Sequence, residues 1–254
     1  MNEPIILTFG VSKGGTGKSW WALNIAAYLG RLGYWPMVVD FNTRATAFSE
    51  YARAYELKRD VFHHAVKAEG RTVEEIKKTY SKYNFIILDT TQYPDRGDVE
   101  NAWRNCDCML APITCDTADF QDFALALDEL RKLSLKRPVL VLPSRVPVLK
   151  NAMLPEEFSM FLEMLSKAGC KIPPIPKNKY LDYNYRLQRL PIRNIYFNSE
   201  ENKNKDPELA MEDRAASETF IDKFEEHGRW ILSEIKTIVG TLPPINSVKI
   251  SSIS

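Results

Sequence analysis

An α/β fold, with a mostly parallel sheet flanked by helices, is what this sequence predicts. Three features carry that expectation. Apolar runs at 5–9, 36–40, 85–89, 108–113 and 139–142 are short, continuous and largely unalternated, as strands covered on both faces are. Segments at 18–32, 118–133 and 155–168 have helical length and apolar spacing. A glycine-rich run, from Gly10 to Ser19, joins the first strand to the first helix. Strand and helix in alternation are the pattern of a sheet wound by crossover connections.

The elements follow in order. The first helix, 18–32, carries apolar residues on nearly every face (Trp21, Ala22, Leu23, Ile25, Ala26, Leu29), so it is expected to be buried, with Gly33 as its stop. The strand after it ends in Asp40, and the strand at 85–89 ends in Asp89. Near the other end, 208–238 lacks proline and sets Phe220, Phe224, Ile231, Ile235 and Ile238 at helical spacing. His227 falls on that stripe and reads as packed or capping rather than as a ligand, because no second His or Cys accompanies it. Residues 198–206 contain no hydrophobic side chain and read as a surface loop. From Gly240 onward, prolines and serines cannot continue a helix. The expectation is a single domain over 1–240 and a flexible tail over 241–254.

Composition narrows the class without naming a chemistry. With 44% hydrophobic and 26% charged residues in 254, the chain has ordinary globular proportions. No run approaches the ~18–20 consecutive apolar residues of a membrane span, and the first residues lack the basic region of a signal peptide. A net charge of +1 excludes a surface coated in positive charge but leaves room for a local basic patch. The four cysteines lack the paired CxxC spacing of a metal site and are expected as buried, reduced thiols in a cytoplasmic protein.

Chemistry enters with Lys13-Gly14-Gly15-Thr16-Gly17-Lys18-Ser19, which follows a strand and opens a helix. Glycines let successive backbone N–H groups turn inward on phosphate oxygens, and the helix N-terminus adds its positive end. Lys18 would reach the β- and γ-phosphates, and the Ser19 hydroxyl would sit on Mg²⁺. In this context the motif predicts a P-loop NTPase with ATP and Mg²⁺ as cofactors. Gly14, Gly15, Thr16, Gly17, Lys18 and Ser19 form the nucleotide site. The strand ending in Asp89 has the Walker B arrangement, with that carboxylate near Mg²⁺ through water.

Lys13, placed directly before Gly14-Gly15, is not demanded by an ordinary phosphate loop. The run from Lys13 to Ser19 resembles the deviant Walker A box of the ParA/MinD family of partitioning and positioning ATPases. In that family this lysine reaches the partner's phosphates across an ATP-dependent dimer. The resemblance spans roughly 4–239. It places Asp40 at the Walker A′ element, Asp89-Thr90-Thr91 at the switch turn, and the stretch from Cys108 through Pro112 to Asp119 at the strand-and-loop that follows. It implies Lys13, Lys18 and Asp40 as catalytic groups, with Ser19, Asp40 and Asp89 around the metal. The chain departs from the family at Asn42, where a second carboxylate normally positions the attacking water; an amide cannot accept that proton, which implies slow hydrolysis. Trp20 replaces a phosphate-touching Thr, so that contact falls to its backbone. Arg145, after Ser144, stands where the family reads the base, and Thr91-Gln92 replaces the usual Pro-Pro.

Three jobs are open to such an ATPase. A partitioning protein would dimerise on ATP, bind nucleoid DNA without sequence preference, and be released when a partner protein stimulates hydrolysis. Lys177, Lys179, Arg186, Arg189 and Arg193, with Tyr180, Tyr183 and Tyr185 between them, are its candidate DNA-binding patch. The same residues also suit a solvated surface over core tyrosines. A MinD-type membrane-positioning protein is the second reading, but the proline-containing end with one lysine makes a poor amphipathic anchor. A metabolic ATPase of the same fold is the third; Cys106 and Cys108 are too close together to suggest its iron–sulfur form.

Overall fold

The computed structural model describes residues 3–10, 15–42, 64–90, 97–134, 136–144, 155–174 and 226–245. Every expected strand forms: β1 (Ile5–Phe9), β2 (Pro36–Asp40), β4 (Phe85–Asp89), β5 (Cys108–Ile113) and β6 (Val139–Pro143). They are joined by an unexpected edge strand, β3 (His64–Lys67), in one six-stranded sheet ordered β3-β2-β4-β1-β5-β6. All of its pairings are parallel. Helices α1 (Lys18–Arg31), α4 (Thr117–Lys132) and α5 (Glu156–Lys167) fall where the spacing puts them, whereas α2 (Val73–Thr79) and α3 (Gly97–Asn105) are additions. A last helix, α6, covers 226–239; the rest of the expected 208–238 helix, the 198–206 loop and the tail beyond 245 lie outside the described residues.

The unalternated strands are explained by two cores, one on each face of the sheet. Successive side chains of a strand point to opposite faces. Ile6, Val39, Ile86, Leu88, Met109 and Val141 pack on one side with Ile76 of α2, Trp103 of α3, Phe123 of α4 and Phe158 of α5. Leu7, Val38, Ile87, Leu110 and Leu142 pack on the other with Trp21, Ile25 and Leu29 of α1 and Ile231 and Ile235 of α6. Each such side chain contributes roughly 1.5–3 kcal/mol of burial, and both faces use it.

α1 is buried along nearly its whole length and stops after Leu32, with Gly33 in the left-handed region at φ +90°. Its partner α6 comes very close: a Cβ on Gly228 would lie 2.7 Å from the Tyr28 ring. His227 is buried beside Trp21, ring centroids 6.2 Å apart, as a packed histidine. The four thiols are free, three of them buried, and burial pushes Cys106 up to about 12. Burial raises Cys108, Cys115 and Cys170 as well, which favours the thiol over the thiolate at all four.

Candidate nucleotide site

Parallel register lines up the ends of four strands. Lys67 of β3 pairs with Asp40 of β2, Asp40 with Asp89 of β4, and Asp89 with Phe9 of β1. By alternation all four residues face the α1 side, since Ala65, Val38, Ile87 and Leu7 belong to that core. β2 and β3 lie to one side of β1 and β5 and β6 to the other, so this row sits at the carboxyl ends of strands flanking a switch point, where open α/β sheets bind ligands.

The N-terminal end of α1 meets this row, where the Ser19 hydroxyl donates to Asp89. Gly15 (φ +84°) and Gly17 (φ +97°) hold left-handed conformations that side chains rarely adopt, and Gly17 is the N-cap of α1. No capping side chain closes that helix end, which leaves its first N–H groups directed at whatever lies in front. The base of the loop is fixed by Ser144 at the end of β6. Its hydroxyl donates to the Thr16 carbonyl at 2.9 Å and accepts from Trp21 Nε1 at 3.2 Å. Gly10, where the loop begins, packs on Trp103: a Cβ there would stand 2.4 Å from the indole nitrogen. Thr90, buried after β4, donates to the Phe9 carbonyl and ties the turn beyond Asp89 to the same place.

Charge is concentrated and poorly hydrated here. Lys18 is 8% exposed, and burial lowers its ammonium to about 8 despite the opposing pull of Asp89 and Asp119. Asp119 is itself buried and accepts a hydrogen bond from Thr114. Burial raises Asp89 to about 7; the Ser19 hydroxyl bond lowers it, the Asp40 charge raises it, and Lys18 and Lys67 lower it. Asn42 bridges the two carboxylates. Its backbone N–H donates to Asp40 Oδ1 at 2.8 Å, and its amide nitrogen donates to Asp40 Oδ1 at 3.1 Å and Asp89 Oδ2 at 3.3 Å.

This chemistry fits a hard divalent ion held jointly with phosphates. Asp89 Oδ1 is fully buried with no hydrogen-bond partner, which demands a cation or water when the carboxylate is charged. Among the described residues, no group of three or more His, Cys, Asp or Glu is placed to hold a metal alone. Mg²⁺ does not need one, since it is commonly bound by one or two carboxylates plus substrate oxygens. Ser19 and Asp89 are the candidates to hold it, Asp89 directly or through water, with Asp40 beside them.

No protein-family model matches the chain, and no curated protein sequence matches it. Solved structures do. The pnob8 ParA superposes with a TM-score of 0.59 at 15% identity, over 91% of this chain and 99% of that one. The MinD cell division protein of Aquifex aeolicus gives 0.55 at 18%, over 95% and 99%. A plasmid partition protein of Borrelia burgdorferi, solved with AMPPNP, gives 0.52 at 20%, over 87% and 100%. The chain has the ParA/MinD fold.

Within this ParA/MinD fold, Gly15, Thr16, Gly17, Lys18, Ser19, Asp40 and Asp89 lie at one end of the sheet. The Trp20 ring is buried edge-to-face on Trp21, 5.4 Å between centroids. Lys13, Gly14, Arg145 and the basic residues Lys177, Lys179, Arg186, Arg189 and Arg193 lie outside the described residues. Sequence reading missed Lys67, whose ammonium is 2.7 Å from Asp40 Oδ2. It lies on a strand too short and too polar to be recognised, and only the register reveals it.

Proposed function

We propose that this protein is a ParA-type ATPase. It binds ATP with Mg²⁺, dimerises on ATP through Lys13, binds nucleoid DNA nonspecifically in the cytoplasm, and positions or partitions a cargo. A partner protein stimulates hydrolysis and so releases it. The observation that carries this reading is Lys18, an ammonium buried at the mouth of an uncapped helix beside Asp89 and Asp119. A buried cation in front of converging N–H groups is a site for an anion. AMPPNP in the Borrelia burgdorferi partition protein supports a nucleoside triphosphate as that anion.

The residues divide the work. The backbone of Gly14 to Ser19 cradles the phosphates, and Lys18 stabilises charge developing on the transferred group. Mg²⁺ would supply neutralisation of the phosphate oxygens, held by Ser19 and Asp89. Asp40 is the carboxylate left to orient water, because Asn42 can donate but cannot take a proton. The basic residues between 177 and 193 suit phosphates and favour DNA as the surface bound. Among the described residues no helix is long and apolar enough to cross a membrane.

Calorimetry with AMPPNP and Mg²⁺ tests the foundation. Wild-type protein binds, and Lys18→Ala loses binding to below detection. Equal affinity in the two proteins would remove the nucleotide from this end of the sheet.

A further inference from the structure

Asp40 and Asp89 stand side by side in register yet are held differently. Asp89 keeps one buried oxygen without a partner. Asp40 has both oxygens engaged: Oδ1 accepts from the N–H and amide of Asn42, and Oδ2 accepts from Lys67 at 2.7 Å. The Lys67 ammonium also donates to the Asn42 carbonyl at 2.8 Å, so one cation staples the whole Asp40–Asn42 turn. Its charge reaches further, lowering Asp89 as well. The Lys67 side chain is 26% exposed while that of Asp40 is fully buried. The lysine, with a flexible stem and a point charge, can therefore withdraw to water, whereas the carboxylate cannot.

We infer that Lys67 is a positioning residue that competes with the divalent ion for Asp40. This rests on the nucleotide-site reading above. Without nucleotide, Lys67 neutralises Asp40 and keeps it from accepting a hydrogen bond from water. When phosphates bring a divalent ion to Ser19 and Asp89, two like charges face one another across the Asp40–Asp89 pair. Lys67 yields because its side chain, unlike that of Asp40, reaches solvent, and Asp40 Oδ2 is released toward the cation's water shell. The lysine thus weakens cation binding and makes Asp40 available only in the loaded site.

Mn²⁺ is the probe, with free ion read by electron paramagnetic resonance in saturating ADP. Lys67→Met is expected to bind Mn²⁺ about tenfold more tightly than wild type, the scale of one screened charge at this range. Lys67→Arg, which keeps the charge, stays within about twofold. A second measurement needs no variant: acylation of Lys67 in the wild-type protein, followed by mass spectrometry, speeds up when Mg²⁺ and ADP are both present. Mn²⁺ binding no tighter in Lys67→Met, or acylation unchanged or slowed on loading, overturns the role. A wild-type protein that binds neither ADP nor Mn²⁺ overturns the nucleotide reading and this inference with it.

Discussion

The buried carboxylate of Asp89 gives the site its tension, and its shift makes that visible in stability. Burial pushes the Asp89 carboxyl in the folded, nucleotide-free chain up to about 7, from an ordinary value of 3.8. Below both values the group is protonated folded or unfolded and has no effect. As pH rises from about 4 to about 7 the unfolded chain releases a proton the folded one retains, so stability falls, and above that window the penalty is complete. Asp89→Asn removes it. The nucleotide-free variant is expected to melt several degrees higher than wild type near pH 8 and nearly level with it near pH 4 by scanning calorimetry, while losing Mg²⁺-dependent AMPPNP binding. An equal gain at both pH values would mean that the charge of Asp89 is not the cause. Asn42 shows the opposite bargain. Its amide donates to Asp40 and Asp89, and Asn42→Asp would replace those donors with a third carboxylate. Turnover at saturating Mg²⁺ should rise severalfold, since a group able to take a proton is restored, while the nucleotide-free protein melts lower. A variant as slow as wild type would assign water activation to Asp40 or to a bound partner.

Elements were legible in proportion to how far their own residues determine them. β1, β2, β4, β5 and β6 are fully buried strands of five or six residues, and apolar runs of that kind declare themselves. β3 has four residues of which only Ala65 is buried, so nothing in His64-Ala65-Val66-Lys67 separates it from a loop. The same holds for the site. The phosphate loop is contiguous in the chain and could be read directly, but Ser144 meets Thr16 across 128 positions and Lys67 meets Asp40 across 27. Such contacts exist only once the strand order is known. Gly10 was readable as a loop glycine, but its reason, the indole of Trp103 pressed against it, was not. α2 could have been found from its start signal. Thr72 accepts from the Glu75 N–H at 3.2 Å and the Glu75 carboxylate accepts from the Thr72 N–H at 2.8 Å, a complete capping box. Thr72→Ala should lose about 1 kcal/mol of stability in urea denaturation, with an unchanged slope. No loss would show that packing of Val73 and Ile76 alone holds the helix.

At the scale of the whole molecule, the proposed function requires that nucleotide state alter assembly. Lys13 stands at the phosphate loop, where the resemblance to ParA and MinD proteins gives it to a partner's nucleotide; its charge does little in a monomer and much against a second subunit's phosphates. Light scattering with a slowly hydrolysed ATP analogue should show a dimer for wild type and a monomer for Lys13→Ala. Dimerisation then bears on DNA. With a net charge of only +1 the chain offers no general attraction for a polyanion, so the proposed binding calls for a local patch, for which Lys177, Lys179, Arg186, Arg189 and Arg193, interleaved with tyrosines, are the candidates. Two copies facing one duplex neutralise more phosphates than one, so ATP, by doubling the patch, should create affinity that neither ADP nor the empty protein supports. Affinity should fall steeply with salt, log against log, by about 0.9 per phosphate contact. Removing one arginine from each subunit should flatten that slope by up to about two units if both copies touch phosphate. Arg189→Glu goes further by adding repulsion to DNA, and on this reading it leaves ATP-driven dimerisation intact. Fluorescence anisotropy on duplexes of unrelated sequence, titrated with salt in ATP analogue, ADP and no nucleotide, measures all of this at once. An ATP-bound dimer that ignores DNA at low salt would favour a metabolic role for the fold, and binding that survives the charge reversal would move the DNA surface to another part of the chain.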